Sequence, residues 1–287
     1  MRTAPDSSAP DPRDWIGRTE TLADTLAPEQ ACGAAALFGL DPASVAPGAP
    51  LPLPWHWFHF LPRASQDALG DDGHPRLGGF MPPVPYPRRM FAGSRITVHR
   101  PLRIGAAATR EGTIRDVRLT TGKSGALAFV TVGYRIVQDG TLALEEEQDI
   151  VYKEPGPPVT APAALDALPA VGDGAWARTV LPDARALFRF SALTFNAHRI
   201  HYDLAYARDV EGYPALVVHG PYTAMLLLDL VRRHTARPVV EFAFRGRAPL
   251  FADRPVRLVA RPDGDRVALE AQGPDGAVAL SADARLG

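Results

Sequence analysis

The densest run of chemically able side chains lies between Phe190 and Asp203, where Ser191, Thr194, Asn196, His198, Arg199, His201, Tyr202 and Asp203 fall within fourteen residues. Histidine is the side chain that titrates near neutrality, so an imidazole here can take a proton from one group and return it to another. Asn196 cannot accept a proton at neutral pH. Its amide can only hold a group in place, or serve as a cap or turn residue that satisfies the local backbone. His198 and His201 stand three residues apart and would form three metal ligands with Asp203, but the partner set of an HExxH-type site is missing. No metal is therefore expected. Further on, His219-Gly220-Pro221 opens an apolar run, with Pro221 at a first-turn position. Backbone N–H groups at such a helix start, with the dipole behind them, can face an oxygen that gains negative charge, and glycine permits close approach. The plainer reading of Gly220 is a strand terminator, and of His219 a packing residue. Arg88 and Arg89 follow a proline-rich segment, and with Arg199 they are the arginines placed to meet an anion, or to be ordinary salt-bridge residues.

Composition narrows what these residues can serve. The chain has 287 residues, 46% of them apolar and 22% charged, which suits one large folding unit or two smaller ones. A formal net charge of −1 lacks the basic footprint of a nucleic-acid binder. Cys32 is the sole cysteine, which excludes an internal disulfide and points to a reducing, cytoplasmic setting. No segment is long and apolar enough to suggest a membrane span, and residues 1–13 lack the apolar stretch of a signal peptide and read as a frayed tail. The phosphate-loop, nucleophile-elbow and dinucleotide fingerprints are missing as well, so no cofactor is expected.

The surrounding elements follow from periodicity and turn chemistry. The stretch from Asp14 to Leu40 contains a helix, with Pro28 at its start and Gly39 near its exit. Leu51–Pro87 interleaves eight prolines with Trp55, Trp57, Phe58 and Phe60 and reads as an ordered loop anchored by aromatic side chains. From Ser94 alternation takes over, with strands at Thr113–Leu119, Ala126–Val137 and Thr141–Tyr152 separated by turns at Thr121–Gly125 and Gln138–Gly140. Residues 155–171 are rich in Pro and Ala and read as a linker between an N-terminal half (14–154) and a C-terminal half (172–287). The second half offers an apolar helix after Gly220, then strands at Val239–Arg245, Val256–Arg261, Arg266–Gln272 and Ala277–Ala282. Arg100-Pro101-Leu102 and Arg247-Ala248-Pro249-Leu250 occupy matching places in the two halves, as in a diverged duplication. A helix apolar on nearly every side must be buried, and one buried helix wrapped by an antiparallel sheet is a hot dog. The expected fold is α+β, a double hot dog whose first helix is degenerate because its region is Leu51–Pro87.

The run Thr194-Phe195-Asn196-Ala197-His198-Arg199-Ile200-His201-Tyr202-Asp203 resembles the signature of the MaoC-like hydratases and dehydratases. In that signature a catalytic Asp is followed five residues later by a catalytic His, and two beyond by another Asp. His201 takes the His position and Asp203 the one after it, while Asn196 stands where the Asp is usual and His198-Arg199 where an Asn-Pro step is common. Trp55-His56-Trp57-Phe58, Phe80-Met81-Pro82-Pro83, Arg88–Gly93 and Val218-His219-Gly220-Pro221 extend the resemblance to the subgroup of mesaconyl-C4-CoA hydratases and type 2 hydroxyacyl-thioester dehydratases. The resemblance implies a cofactor-free hydro-lyase on CoA thioesters, with mesaconyl-C4-CoA and citramalyl-CoA as the leading pair and a homo-oligomer left open. His201, Asn196 and Gly220 would be catalytic, and Arg88, Arg89, Arg199, Tyr202 and His219 would contact substrate. The alternatives are a dehydratase of fatty-acid or polyketide 3-hydroxyacyl thioesters and a non-catalytic acyl-thioester-binding protein. A short dicarboxylic substrate needs a cation for its free carboxylate, a fatty chain an apolar tunnel.

Overall fold

A computed structural model describes residues 10–122 and 125–287. The first half contains β1 (Thr19–Asp24), α1 (Pro28–Leu37), β2 (Arg88–Val98), β3 (Ala108–Gly122), β4 (Gly125–Gln138) and β5 (Thr141–Lys153). The second contains β6 (Trp176–Val180), α2 (Ala184–Thr194), α3 (Leu204–Asp209), α4 (Gly220–His234), β7 (Val239–Gly246), β8 (Val256–Asp263), β9 (Arg266–Gln272) and β10 (Val278–Leu286). The hairpins form where turn chemistry predicts them. Asp139 and Gly140 take left-handed backbone at φ 50° and 70°, as a two-residue primed turn requires, and Gly264 does so at 63°. The turn expected at Thr121–Gly125 includes Lys123 and Ser124, which lie outside the described residues.

All ten strands join one antiparallel sheet in the order β1-β3-β4-β5-β2-β7-β10-β9-β8-β6. Each half has the same internal order, and the halves meet where β2 pairs with β7, from Gly93 against Arg245 to Thr97 against Glu241. The weak sequence echo becomes a hydrogen-bond echo. His99 and Arg100 both donate to the Ala143 carbonyl, at 2.9 and 3.1 Å, and Arg247 and Ala248 donate likewise to the Ala279 carbonyl, at 2.8 and 3.1 Å. Leu51 donates to Leu102 and Val218 to Leu250, at 2.7 and 2.8 Å. This is the double hot dog.

After those equivalent bonds the halves diverge. Following Val218 the chain enters α4, where Met225, Leu227, Leu228 and Val231 are fully buried against β2, β6, β8, β9 and β10. Each such side chain contributes roughly 1.5–3 kcal/mol on burial. Following Leu51 the prolines permit only the 3₁₀ turn Trp55–Phe58, whose Trp55 and Phe58 fill the core. That single turn is the degenerate first helix. The 3₁₀ turns in this segment are short because proline removes the donors a longer helix needs.

The helix expected from Pro28 is α1, and ahead of it an unexpected strand forms, Thr19–Asp24 pairing with β3 from Thr19 against Thr113 to Asp24 against Ala108. Two expectations change. The tail expectation fails at Pro12–Trp15, a 3₁₀ turn capped by Asp11, whose carboxylate accepts from the Arg13 amide at 2.9 Å; residues 1–9 lie outside the described residues. The strand placed from Ser94 starts at Arg88, so Arg88 and Arg89 belong to β2 and project to opposite faces. Among the described residues no helix is long and apolar enough to cross a membrane.

Candidate active site

The His-bearing segment is built from three short caps. Helix α2 ends at Phe195, which takes left-handed backbone at φ 49°, and the Asn196 amide then donates back to the Ser191 carbonyl at 2.9 Å. The Asn196 Oδ1 accepts from the His198 backbone N–H at 2.9 Å and turns the chain into the 3₁₀ turn Arg199–His201. Asp203 caps α3 by accepting from the Tyr206 amide at 3.0 Å. The turn role weighed for Asn196 is thus real, and it uses only the oxygen. Among the described residues Nδ2 has no partner, and Asn196 borders the cavity.

His201 is almost wholly buried, and its Nδ1 lies 2.7 Å from the Val217 carbonyl. A carbonyl only accepts, so Nδ1 carries the proton and Nε2 keeps its lone pair. Burial, then the neighbouring His219 and His198, push the His201 pKa well below its ordinary value, so the imidazole is unprotonated at neutral pH. His219 is the N-cap residue of α4; its ring stacks on that of His201 with centroids 3.5 Å apart, and its Nε2 pairs with Ser191 Oγ at 2.9 Å. Burial lowers its pKa to about 3.

The cavity in front of these rings encloses about 1120 Å³ and takes walls from both halves. His201, His219, Gly220, Asn196 and His198 line it from the second half, and His74, Arg89, Phe91 and Arg110 from the first. A Cβ on Gly220 would sit 3.5 Å from the Phe91 carbonyl oxygen, an ordinary contact, and its backbone is that of a normal helix start. Glycine is therefore not demanded by strain at this position, and Gly220 borders the cavity.

Of the other sequence candidates, Tyr202 and His219 border the cavity, and Arg89 enters it. Two arginines do not reach it. Arg88 points to the other side of β2, toward the Gly156 carbonyl at 3.5 Å, and Arg199 is held by Asp203 at 2.7 Å, by the Asp71 carbonyl and over the Tyr206 ring. The strand alternation and the i, i+4 ion pair account for these two placements. The aromatic anchors divide: Trp55 and Phe58 are core, while Trp57 borders the cavity and donates Nε1 to the buried Glu146 at 3.0 Å.

Sequence reading missed a second polar wall. The His74 ring lies tilted against that of His198, centroids 4.2 Å apart, and His198 meets His201 edge-on at 5.3 Å. Asp72 Oδ2 holds His74 Nδ1 at 2.8 Å, and Glu211 Oε1 lies 3.4 Å from His198 Nε2. The island Asp71-Asp72-Gly73-His74, polar amid prolines, was its only sequence signal. Gly73 docks it: φ is +91°, and a Cβ there would come within 1.8 Å of the Ala197 carbonyl oxygen, while Arg199 donates to the Asp72 carbonyl at 2.9 Å. Asp72, His74 and His198 bring ligand atoms within 4.8 Å of one another, close enough for a metal ion, yet Asp72 and His74 are bonded to each other and His198 faces Glu211.

Comparison with known proteins finds relatives over most of the chain. The family model for hydroxyacyl-thioester dehydratase type 2 matches residues 54–252. The chain is 63% identical over 275 residues to mesaconyl-C(4)-CoA hydratase of Chloroflexus aurantiacus, covering 95% of this chain and 97% of that one. It is 25% identical to the mitochondrial hydroxyacyl-thioester dehydratase type 2 of Schizosaccharomyces pombe, over 74% of this chain and 78% of that one. Among solved structures, a MaoC-like dehydratase from Phytophthora capsici superposes with a TM-score of 0.68 at 14% identity, over 96% of this chain and 97% of that one.

Proposed function

Since the chain belongs to the type 2 hydroxyacyl-thioester dehydratase family, we propose that it is a hydro-lyase that interconverts mesaconyl-C4-CoA and citramalyl-CoA. The observation that carries this reading is the 63% identity to a mesaconyl-C(4)-CoA hydratase across nearly the whole of both chains. A neutral His201 with its Nε2 lone pair free supports it.

In the hydration direction, His201 Nε2 removes a proton from water as the water oxygen bonds to the carbon β to the thioester. The π electrons move toward the α-carbon and the thioester oxygen, which gains negative charge. The backbone N–H of Gly220, at the start of α4, stabilises that oxygen with the helix dipole behind it. The imidazolium then returns its proton to the α-carbon, so atoms and charge balance with no cofactor. The Val217 carbonyl keeps His201 in the required tautomer throughout. Asn196 holds the water through Nδ2 while its oxygen is tied to the His198 amide. We place this activity in the cytoplasm, on the composition argument that left Cys32 as a free thiol.

The test is a panel of enoyl-CoA and 3-hydroxyacyl-CoA thioesters, followed by the absorbance of the conjugated double bond and by thiol release. Loss of that absorbance with mesaconyl-C4-CoA, without free thiol, is expected. A preference for long 3-hydroxyacyl chains would replace the substrate with that of the fatty-acid type dehydratases, and a flat trace across the panel would leave only a binding role.

A further inference from the structure

Arg89 is a cation inside the cavity with nothing to neutralise it. Among the described residues its guanidinium has no carboxylate partner and no hydrogen bond; its charge lies over the Tyr152 ring, 6.0 Å from the centroid. Lys153 also borders the cavity, with burial and then the Arg88 charge pushing its pKa down, and the other arginines that border the cavity are engaged. Arg110 faces Glu20 at 3.6 Å between the Phe60 and Tyr134 rings, Arg76 donates to the Leu69 carbonyl, and Arg247 donates to Ser281 Oγ. A half-buried guanidinium remains charged at any physiological pH, and leaving it unpaired is costly, so its position favours an anionic ligand group.

Its place relative to the reacting atoms identifies which group. Arg89 stands two residues before Phe91 on β2, about 7 Å along the strand, and the Phe91 carbonyl oxygen lies 3.5 Å from the Cβ position of Gly220, where the thioester oxygen would be held. On the other side Arg89 adjoins His74, whose pKa burial and then the Arg89 charge push down to about 3, and His74 leads through His198 to His201. An anion at Arg89 therefore shares the cavity with the reacting double bond, whose thioester end is placed at Gly220. The phosphates of CoA are separated from that bond by the whole pantetheine arm and cannot be the anion. In mesaconyl-C4-CoA, a methyl-branched dicarboxylic monothioester with a four-carbon main chain, the free carboxylate is borne by the carbon that receives water.

We infer that Arg89 is the receptor for the free carboxylate of a dicarboxylic acyl-CoA and sets the preference for it over an uncharged acyl chain. The inference rests on the substrate reading above and extends it to a residue. The planar guanidinium takes the carboxylate in a bidentate fork, fixes the acyl group at the end opposite Gly220, and presents the β-carbon to the water held by His201.

The test uses two saturated probes of equal length, succinyl-CoA with a free carboxylate and butyryl-CoA with a methyl group in its place, titrated calorimetrically into the wild-type protein, Arg89→Met and Arg89→Lys. Because neither probe can be hydrated, the result does not depend on the catalytic reading. Wild type is expected to favour succinyl-CoA by about 10- to 100-fold, the worth of a charged hydrogen-bonded pair. Arg89→Met should collapse that ratio to near one, and Arg89→Lys should restore part of it. A thermal melt of each variant accompanies the titration. Equal weakening of both probes, or an unchanged ratio, overturns the proposal. If wild type fails to hydrate mesaconyl-C4-CoA yet the ratio collapses in Arg89→Met, the substrate reading fails and the carboxylate receptor stands.

Discussion

The imidazoles of His201 and His219 lie face to face, 3.5 Å between centroids and 20° between planes, inside the protein. Burial keeps both rings neutral, His219 adding to the effect at His201, and the lone pair on His201 Nε2 is available at pH values where a free histidine would begin to lose it.

That relationship has a kinetic consequence. The pKa of His201 is held below 6.5, and the basic form is the one that activates water, so kcat/KM should stay level from pH 8 to pH 6 and fall only below that. His201→Ala should cost roughly 10²–10⁴ in turnover. A variant that folds normally and retains wild-type turnover would move the search for the base to His219 and Tyr202.

Stability should follow the buried histidines. Burial lowers the pKa of His59 to about 4 and of His74 and His219 to about 3, from 6.5 in the unfolded chain. The unfolded state therefore binds more protons between those values. Stability is complete above pH 6.5 and is lost as pH falls toward 3, at about 1.4 kcal/mol per pH unit for each histidine. Denaturant midpoints measured at half-unit steps should show this slope, and a flat profile between pH 6.5 and 4 would contradict it.

Asn196 separates its structural and chemical roles by atom. Asn196→Asp keeps the oxygen that accepts from the His198 amide but removes the Nδ2 donor, so it should fold like wild type and acquire a second limb in its pH–rate profile. Asn196→Ala loses both, which should lower stability by about 1 kcal/mol and lower turnover as well. Equal kinetics for the Asp and Ala variants would remove any part for this side chain beyond the turn.

Gly73 holds the first-half wall against the second. With φ at +91° and the Ala197 carbonyl 1.8 Å from its Cβ position, Gly73→Ala should displace the loop that carries Asp72 and His74. A left-handed strain of this kind costs about 1–3 kcal/mol, and the backbone clash adds to it. Melting temperature and kcat should fall together; a fall in neither would mean that the loop is not docked there.

At Gly220 size should matter more than conformation. A methyl group meets the Phe91 carbonyl at ordinary contact distance, so Gly220→Ala should fold without loss. Gly220→Val adds two further carbons near the helix start that faces the cavity, and should reduce turnover more than Ala does while the melting temperature holds. Equal turnover for the two variants would show that no thioester oxygen docks at this position.

Much of this molecule was legible without coordinates, because its signals are local. The apolar circumference of α4, the alternation of the inner strands and the Asp-Gly turns each depend on neighbours within a few residues, and so does the cap chemistry that turns Asn196 into His198 and Asp203 into α3. The strands missed were β1 and β6, the two outer edges of the sheet. An edge strand pairs on one side only and is half in water, so Thr19–Asp24 and Trp176–Val180 need little of the apolar patterning that reveals an inner strand. Only the tertiary structure decided which arginine enters the cavity, since that turns on where β2 begins and a one-residue difference exchanges the faces of Arg88 and Arg89. Only packing across some 125 residues of chain brings Asp72 and His74 to His198, through a glycine whose missing side chain admits the Ala197 carbonyl. Sequence determines which groups can hold a proton; long-range burial decides which of them stand together and are kept neutral.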